Sequence, residues 1–440
     1  MTSIMWFRRD LRLRDNPALL AAGEQVLPVF VFDPVLWDAA SDTRRAYLVA
    51  SLTSLSESLS GKLVLRTGDP TEVIPSLVKE VSADSVHIAA DFGPYGMARD
   101  ANVEKALDVP LVRTGSPYAV APGRVVKGDE TPYRVFTPFY KAWAAHGWRA
   151  PATGPLPTFV TAPSEPMPIV TSPVPLPTAG EAAAWDRWND FSSAALADYD
   201  ENRNRPDLDG TSVLSHHLKY GEIHPRSLLA ELKPENIVYA KEICWREFYA
   251  DILFHNPTSS SHSLDARYDS IMPWASGAEA DNLFDSWCHG RTGYPIVDAG
   301  MRQLTTTGWM HNRVRMIVAS FLVKDLHIPW QRGAKFFMQH LRDGDIASNA
   351  HGWQWTAGCG TDASPFYRVF NPITQGIKFD PNGTYVRTYV PELAELSGAS
   401  IHEPWLSPLG LPQSYPERIV DHKQEREVAL ADFASIKGRT

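Results

Sequence analysis

The first 130 residues alternate short apolar runs with longer segments of mixed polarity. The apolar runs are rich in β-branched and aromatic residues and cover 4–7, 26–32, 63–66, 86–90 and 111–113. Segments of helical length lie between most of them, at 44–59, 71–81 and 98–107. Because strands separated by helices favour a parallel sheet with helices on both faces, the pattern predicts a doubly wound α/β domain.

Proline then changes the pattern. Nine prolines fall within 151–177, and this density prevents a regular helix or a central strand and predicts a long crossover. Helical lengths and spacings prevail afterwards, at 181–198, 225–232, 235–254, 295–305, 312–326, 333–341 and 424–436. The sequence therefore predicts an α/β domain over 1–130, a Pro-rich linker over 131–180 and a larger all-α domain over 181–440.

Composition excludes several classes of protein. The 440 residues are 44% hydrophobic and 21% charged, which is typical of a globular chain. No apolar run reaches the roughly 18 residues of a membrane span, and the N-terminus lacks a signal-peptide pattern, so we expect a cytoplasmic protein. Three cysteines (Cys244, Cys288 and Cys359) form neither a disulfide framework nor a zinc set, and no metal site is expected.

Charge is distributed unevenly along the chain. The net charge is -9 at pH 7, so any nucleic-acid site has to be a local patch. Residues 302–342 hold seven Lys or Arg against one acid, Asp325, and tryptophans flank this segment. Basic groups interleaved with aromatic rings suit a polyanion whose bases stack. A solvated helix face above core aromatic residues is the alternative interpretation.

Two further segments carry candidate chemistry. In 210–215 a glycine and hydroxyl residues precede a helix start, which is typical of an N-cap and also of a phosphate site. In 343–349 two carboxylates and an amide surround a glycine, an arrangement that suits the edge of a heteroaromatic ring with Arg315 as counter-ion. An ordinary capped helix and an ordinary polar loop remain open. The chain has no G-x-G-x-x-G, P-loop or G-x-S-x-G motif.

Two predicted helices repeat one spacing of polar and aromatic residues. Glu242, Trp245 and Arg246 lie at i, i+3 and i+4, as do Asn312, Arg315 and Met316, so each trio shares a helix face. A carboxylate, an indole, an amide and a thioether that converge on one pocket would suit a flipped base. A polar interface between helices is equally consistent with this spacing.

Six separated motifs, in order along nearly the whole chain, resemble those of the cryptochrome/photolyase family, and most closely the class I photolyases that repair cyclobutane pyrimidine dimers. The motifs are Met5-Trp6-Phe7-Arg8-Arg9-Asp10-Leu11-Arg12, the run 210–215, Trp245-Arg246-Glu247-Phe248-Tyr249, Thr292-Gly293-Tyr294-Pro295, Gly308-Trp309-Met310-His311-Asn312-Arg313 and 343–355. Together they are far more specific than any one of them.

The resemblance implies an antenna domain followed by a helical domain that binds a U-shaped FAD. The implied FAD contacts are Tyr199, Thr211, Ser212, Val213, Leu214 and Ser215 at the pyrophosphate, Tyr239 near the flavin, Arg315, Asp343, Gly344 and Asp345 along the isoalloxazine, and Asn349 opposite flavin N5. The implied contacts to the flipped dimer are Glu242, Trp245, Asn312, Arg313, Met316 and Trp355, and those to the DNA are Arg203 and Gln375. Trp353, Trp330 and Trp274 are implied to form the photoreduction chain.

The activity that the resemblance implies is light-driven repair of UV-damaged DNA by a monomer. Excited FADH⁻ would pass an electron to the flipped dimer, the ring would split, and the electron would return. Glu242 would hydrogen-bond the dimer and stabilise its radical anion. The resemblance implies the same fold class as the hydrophobic pattern, an α/β domain followed by a larger all-α domain, and it places FAD in the all-α domain.

Other members of the family provide the alternatives. A signalling cryptochrome of the plant type usually has Asp at the position of Asn349 and a long C-terminal tail, whereas this chain has Asn and is expected to end soon after its last helix. A (6-4) photolyase has histidines where this chain has Asn312 and Met316. A light-independent flavoprotein is the remaining alternative.

The antenna chromophore is predicted from positions at which this chain differs from its folate-binding relatives. Tyr95-Gly96 stands where folate-binding relatives have Asn-Glu, and 258–261 lacks their Cys-Lys pair. We therefore expect 8-hydroxy-5-deazaflavin, or no antenna, rather than 5,10-methenyltetrahydrofolate. Tyr239 stands where many relatives have Trp. Ala350-His351 stands where they usually have Asn-Gly, so the resemblance does not predict the contacts on that side of the loop.

Overall fold

The computed structural model describes residues 1–361, 367–396, 398–408 and 410–437. The chain divides into two compact units: Met1–Ala194 with Ser212–Pro257, and Ala195–Thr211 with Thr258–Thr440. The first unit thus includes the α/β part and several later helices. The domain intervals given above, 1–130, 131–180 and 181–440, stay a prediction.

A parallel sheet organises the first unit. Its strands are β1 (Thr2–Phe7), β2 (Gln25–Phe32), β3 (Val64–Thr67), β4 (Ser85–Ile88), β5 (Leu111–Arg113) and β6 (Thr158–Phe159). The order is β3-β2-β1-β4-β5, every pairing is parallel, and β6 pairs with the start of β2. The predicted strands and the doubly wound α/β class are confirmed. The sequence did not predict β6, which lies in the Pro-rich segment.

Helices make up most of the remainder. Along 1–260 they are α1 (Pro17–Leu20), α2 (Pro34–Asp38), α3 (Asp42–Ser58), α4 (Pro70–Val81), α5 (Pro94–Ala106), α6 (Phe136–His146), α7 (Glu181–Ala194), α8 (Tyr199–Asn202), α9 (Ser215–Tyr220), α10 (Pro225–Glu231) and α11 (Ile237–His255). Beyond them lie α12 (Arg267–Ser270), α13 (Gly277–Cys288), α14 (Pro295–Thr307), α15 (Asn312–Lys324), α16 (Trp330–His340), α17 (Ile346–Ala357), α18 (Pro372–Phe379), α19 (Thr384–Tyr389) and α20 (His422–Lys437).

Short 3-10 helices cover the remaining helical stretches. They are Pro234–Asn236, Pro257–Ser260, Pro391–Leu393, Gly398–His402 and Pro404–Leu406. The predicted all-α character of the later part of the chain is confirmed. Within the described residues, no helix is both long and apolar enough to cross a membrane.

The two faces of the sheet have separate cores because neighbouring residues of a strand point to opposite faces. Ile4 and Trp6 of β1 pack with residues of α4 and α5, whereas Met5 and Phe7 pack with residues of α1 and α3. All four side chains are at most 1% exposed. A strand that is buried on both faces reads as a continuous apolar run, and this explains why the sequence pattern located the strands well.

The core of the second unit is built around α14, α15, α16 and α17. Gly333 in α16 lets the ring of Trp353 in α17 lie against the helix backbone. A Cβ atom at Gly333 would lie 2.6 Å from Cδ2 of Leu322 and 2.6 Å from Cζ3 of Trp353, both far inside van der Waals contact. Trp353 is 2% exposed, so its ring has little room to move.

Gly333→Ala is therefore expected to destabilise the protein by about 1–3 kcal/mol, because the added methyl group overpacks a filled contact between α16 and α17. Gly352→Ala is the matched control in α17, since a Cβ atom there meets nothing within 4 Å. That substitution is expected to leave stability unchanged or to raise it by about 0.5–1 kcal/mol. Urea unfolding of the two variants measures the difference, and equal unfolding free energies would contradict the packing argument.

Candidate functional site

The run 210–215 leaves the second unit and enters the first between Thr211 and Ser212. The expected hydroxyl N-cap is wrong, because helix α9 begins at Ser215 and Leu214 holds the N-cap position. Ser212 is instead fixed from two sides. The Tyr239 hydroxyl donates to Ser212 Oγ at 3.0 Å, and Arg187 Nε donates to the Ser212 carbonyl at 2.8 Å.

Backbone strain marks the same run. Val213 has φ of 49°, a left-handed conformation that is unusual for a β-branched residue. Such a conformation costs on the order of 1–3 kcal/mol and tends to occur at ligand sites, where the surrounding structure maintains it. Tyr239, 5% exposed, also packs against the rings of Trp188 and Phe191. Burial raises the pKa of the Tyr239 phenol, so it stays a hydrogen-bond donor to Ser212.

Helix α11 carries the carboxylate and the indole that the sequence singles out in the first unit. Glu242 and Trp245 are both half-buried and lie one turn apart on this helix, as predicted. Arg246 belongs to the anchoring of the helix: its guanidinium donates to the carbonyls of Pro117 at 3.0 Å and Leu218 at 3.1 Å. Of the predicted trio, Arg246 therefore serves the packing of α11.

In the second unit an ion pair connects α15 to the loop before α17. Arg315 Nη2 lies 2.8 Å from Asp343 Oδ2, and Arg315 Nε donates to the Met310 carbonyl at 2.8 Å. The Asp343 side chain is 2% exposed and that of Arg315 is 25% exposed. The pair brings together a guanidinium and a buried carboxylate, as the sequence predicted for these two residues.

The predicted loop is shorter than 343–349, because α17 begins at Ile346 and includes Asn349. The Asp345 carboxylate caps α17 by accepting from the Ser348 N–H at 3.1 Å. Asn349 Nδ2 donates to the Ala334 carbonyl at 3.0 Å, which fixes the orientation of the amide. Guanidinium, carboxylate and amide groups offer both donors and acceptors, and the ring edge of a flavin requires both. The chemistry of these residues therefore fits FAD.

Arg313 connects three segments of the second unit at one surface. It donates to Asn204 Oδ1 at 2.7 and 3.1 Å, and Asn204 follows Arg203 in the chain. The Arg313 guanidinium also lies 4.5 Å from the ring centroid of Phe379 in α18. Gln375 lies one helical turn before Phe379 on the same helix. The contacts thus join Arg313 to the chain neighbour of Arg203 and to the helix that carries Gln375.

Helix α15 begins immediately beside this surface. His311 caps the helix: its Nδ1 accepts from the Arg313 N–H at 3.2 Å. Burial, together with Arg313 and Arg315, lowers the pKa of His311 to about 4, so the ring is neutral and keeps this acceptor at pH 7. Asn312 is exposed at the first turn and Met316 is half-buried one turn later.

Of the tryptophans proposed for photoreduction, two are buried and the third is more exposed. Trp353 and Trp330 are 2% and 1% exposed, and Trp274 is half-buried. Gly333, which the Trp353 ring covers, lies one turn after Trp330 on α16. Trp330 Nε1 donates to Ser263 Oγ at 2.9 Å, and Trp274 Nε1 donates to the Tyr268 carbonyl at 2.6 Å.

Helix α17 separates its two tryptophans, as their spacing predicts. Trp353 points into the core and Trp355 is half-buried. At Ala350-His351, where this chain differs from its relatives, His351 has a structural role. Its ring is fully buried, with Nε2 3.0 Å from Ser259 Oγ and Nδ1 2.8 Å from the Ala347 carbonyl oxygen. Burial lowers the pKa of His351 to about 4.

The basic segment 302–342 presents less free charge than its composition indicates. Arg302 pairs with Glu392 at 2.8 Å and Arg332 pairs with Asp281 at 2.9 Å. Lys324 is 3% exposed, and burial lowers its pKa to about 7. Several of these side chains therefore hold the helices together, and the count of seven basic residues overstates the charge that this segment offers to a polyanion.

The fold and these contacts can now be compared with known proteins. A family model described as DNA photolyase matches residues 3–158, and one described as the FAD-binding domain of DNA photolyase matches residues 239–435. The chain is 41% identical to the deoxyribodipyrimidine photo-lyase of Agrobacterium fabrum, over 99% of this chain and 98% of that protein. It is 38% identical to the deoxyribodipyrimidine photo-lyase of Escherichia coli, over the full length of both.

Solved structures give the same result. A class III photolyase from Agrobacterium tumefaciens superposes with a TM-score of 0.88 at 40% identity, over 99% of this chain and 98% of the other. The cryptochrome of Synechocystis superposes with a TM-score of 0.86 at 29% identity, over 97% and 98%. The expectation that this chain most resembles the class I photolyases stays a prediction. Because relatives of 38–41% identity cover its full length, two photolyase family models match it and it shares the fold of solved members, the chain belongs to the cryptochrome/photolyase family.

Proposed function

We propose that this chain repairs cyclobutane pyrimidine dimers in DNA with light. The observation that carries the proposal is the full-length identity of 36–41% to proteins named deoxyribodipyrimidine photo-lyase. FAD is the cofactor, and in its reduced, light-excited state it supplies the electron that splits the dimer and regains it afterwards. The chain itself binds, orients and shields the reactants.

Residues of each unit are assigned to FAD. In the first unit Ser212, Val213, Leu214 and Ser215 would contact the pyrophosphate, and the strained backbone at Val213 together with the Tyr239 hydrogen bond supports a preformed loop. In the second unit Tyr199 and Thr211 would do the same. The isoalloxazine would be lined by Arg315, Asp343, Gly344 and Asp345. Because Asn349 Nδ2 already donates to the Ala334 carbonyl, Oδ1 of Asn349 would be the atom directed at flavin N5.

The substrate contacts follow the same division. Glu242 and Trp245 on α11, and Asn312, Arg313, Met316 and Trp355 in the second unit, would each contact the flipped dimer. Arg203 and Gln375 would contact the DNA, and the contacts of Arg313 with Asn204, next to Arg203, and with Phe379 on the helix of Gln375 support that assignment. Extrusion of the dimer costs a few kcal/mol, least for a lesion that already stacks poorly, so selectivity begins with the DNA itself.

Trp353, Trp330 and Trp274 would carry electrons inward from the surface when the flavin has to be reduced. The greater exposure of Trp274 supports this direction. A location in the cytoplasm and a monomeric state stay predictions from the sequence.

The choice between substrates is tested with two matched duplexes, one with a cyclobutane thymine dimer and one with a (6-4) photoproduct. Asn312 and Met316 replace the histidines that the (6-4) enzymes have in this region, so only the cyclobutane dimer is expected to be reversed under blue light. Chromatography of the digested DNA measures restored thymines. Repair of the (6-4) duplex, or repair of neither duplex, would contradict the proposal.

Glu242→Ala is expected to lower the number of dimers repaired per absorbed photon. A carboxylic group that hydrogen-bonds the dimer stabilises its radical anion, and this stabilisation is lost in the variant. Affinity for the dimer is also expected to fall about 10- to 150-fold, because hydrogen bonds to charged groups contribute about 1.5–3 kcal/mol. Glu235→Ala, an exposed carboxylate just before α11, is the matched control and is expected to behave as wild type. An unchanged quantum yield in Glu242→Ala would refute the role.

The preference for an 8-hydroxy-5-deazaflavin antenna over methenyltetrahydrofolate is a proposal about the first unit. A cleft at the carboxyl ends of β1 and β4, where doubly wound sheets bind ligands, is lined by Arg8, Arg9, Asp10, Ala89, Ala90, Asp91 and Pro117. The cleft is open to solvent, and the free space inside it, solvent included, is about 230 Å³.

Tyr95 is connected to this cleft through Arg99. Its hydroxyl donates to Asp33 Oδ2 at 2.6 Å, and the Arg99 guanidinium contacts both the Tyr95 ring and Asp91. We propose that an antenna bound in this cleft would displace the Tyr95 side chain. It would then bind at the cost of the Tyr95–Asp33 hydrogen bond.

Tyr95→Phe is accordingly expected to bind added deazaflavin up to about tenfold more tightly than wild type, because the chromophore no longer competes with a hydrogen bond of ~0.5–1.5 kcal/mol. Absorbance of the bound antenna relative to the flavin, after gel filtration, measures occupancy. Tyr133→Phe removes a phenol elsewhere in the first unit and is expected to match wild type. Equal occupancy in wild type and Tyr95→Phe would contradict this role of Tyr95.

A further inference from the structure

The face of Trp245 on α11 is stacked on a second aromatic ring that the sequence did not single out. The rings of Phe136 and Trp245 lie 3.7 Å apart between centroids with an interplanar angle of 6°, the closest and most parallel of the described ring pairs. Phe136 is 8% exposed, whereas Trp245 is half-buried. The pair therefore presents Trp245 outward and keeps Phe136 behind it.

Neighbouring rings restrict Trp245 further. Phe248 meets it edge-on at 5.7 Å, and Tyr249 lies tilted against it at 5.4 Å. Phe136 itself packs against Phe248 at 5.8 Å. An indole held by a parallel ring on one face and by an edge contact has few rotamers left.

The helix that supplies Phe136 is fixed to α11 by a buried carboxylate. Glu247, 1% exposed and two residues after Trp245, accepts from Trp143 Nε1 at 2.7 Å and from the Val120 N–H at 3.0 Å. Phe136, Phe139 and Trp143 lie at i, i+3 and i+7 and are the buried residues of α6. The Glu247–Trp143 hydrogen bond therefore sets the register in which Phe136 reaches Trp245.

We propose that Phe136 is a positioning residue for the substrate: it holds the Trp245 indole in the orientation that stacks on the flipped pyrimidine dimer. This inference rests on the proposed contact between Trp245 and the dimer. A ring that is already ordered loses little rotamer freedom when the dimer binds, so more of the stacking free energy appears as affinity.

The test measures dark binding of a duplex with one thymine dimer, relative to the undamaged duplex. Phe136→Leu is expected to weaken dimer-specific binding about 2- to 10-fold, the range that corresponds to loss of one aromatic pair. Phe136→Tyr keeps the ring and is expected to restore binding. Phe139→Leu is the matched control: Phe139 is 2% exposed on the same helix and contacts Phe248 at 5.0 Å.

A double-mutant cycle with Trp245→Ala separates positioning from a loss of fold. Phe136→Leu is expected to have no further effect on binding once Trp245 is absent, since it acts through that ring. An equal effect in both backgrounds, or equal weakening by Phe139→Leu, would overturn the inference. Unchanged dimer binding in Trp245→Ala alone would instead show that the proposed Trp245 contact is wrong, which distinguishes the two failures.

Discussion

The buried ion pair between Arg315 and Asp343 is the interaction on which the second unit's site depends. It ties α15 to the loop before α17, and that loop also supplies the Asp345 cap and leads to Asn349. A carboxylate with 2% of its side chain exposed is costly to bury without a partner, and loss of one partner of such a pair is strongly destabilising. The contact that pairs Oδ2 of Asp343 thus also holds the groups that fit a flavin edge. In the proposed function, stability and cofactor binding are linked at this pair.

In the first unit, aromatic packing has the corresponding role. The half-buried Trp245 lies on a layer of rings from α6 and α11, and Glu247 fixes the register of the two helices. The tightly packed contact of Gly333 with Trp353 is a second example of this principle, because it fixes the Trp353 indole against α16. In both places the residue that would touch a ligand is ordered by one that would not. Preorganisation of this kind lowers the entropic cost of binding.

The sequence predicted the sheet well because strands buried on both faces are continuous apolar runs. It missed α6, although Phe136, Phe139 and Trp143 have helical spacing. The reason is that the segment before them is rich in turn residues. Charge was less predictable. Composition counts Arg302 and Lys324 as basic, yet one is paired with Glu392 and the other is buried with a lowered pKa, and only tertiary structure shows this. The motifs located Glu242, Trp245 and the 343–349 loop, but no local pattern revealed the residue that backs the indole.

Light-dependent reversal of the lesion is the most direct measurement of the central claim, that this chain uses reduced FAD to repair cyclobutane dimers. Anaerobic, fully reduced protein is mixed with dimer-bearing DNA in excess over undamaged DNA and given a series of calibrated blue flashes. The account predicts that thymines are restored in proportion to absorbed photons and that a dark sample restores none. Restoration no greater than in the dark, although FAD is bound and reduced and the DNA is bound, would contradict it.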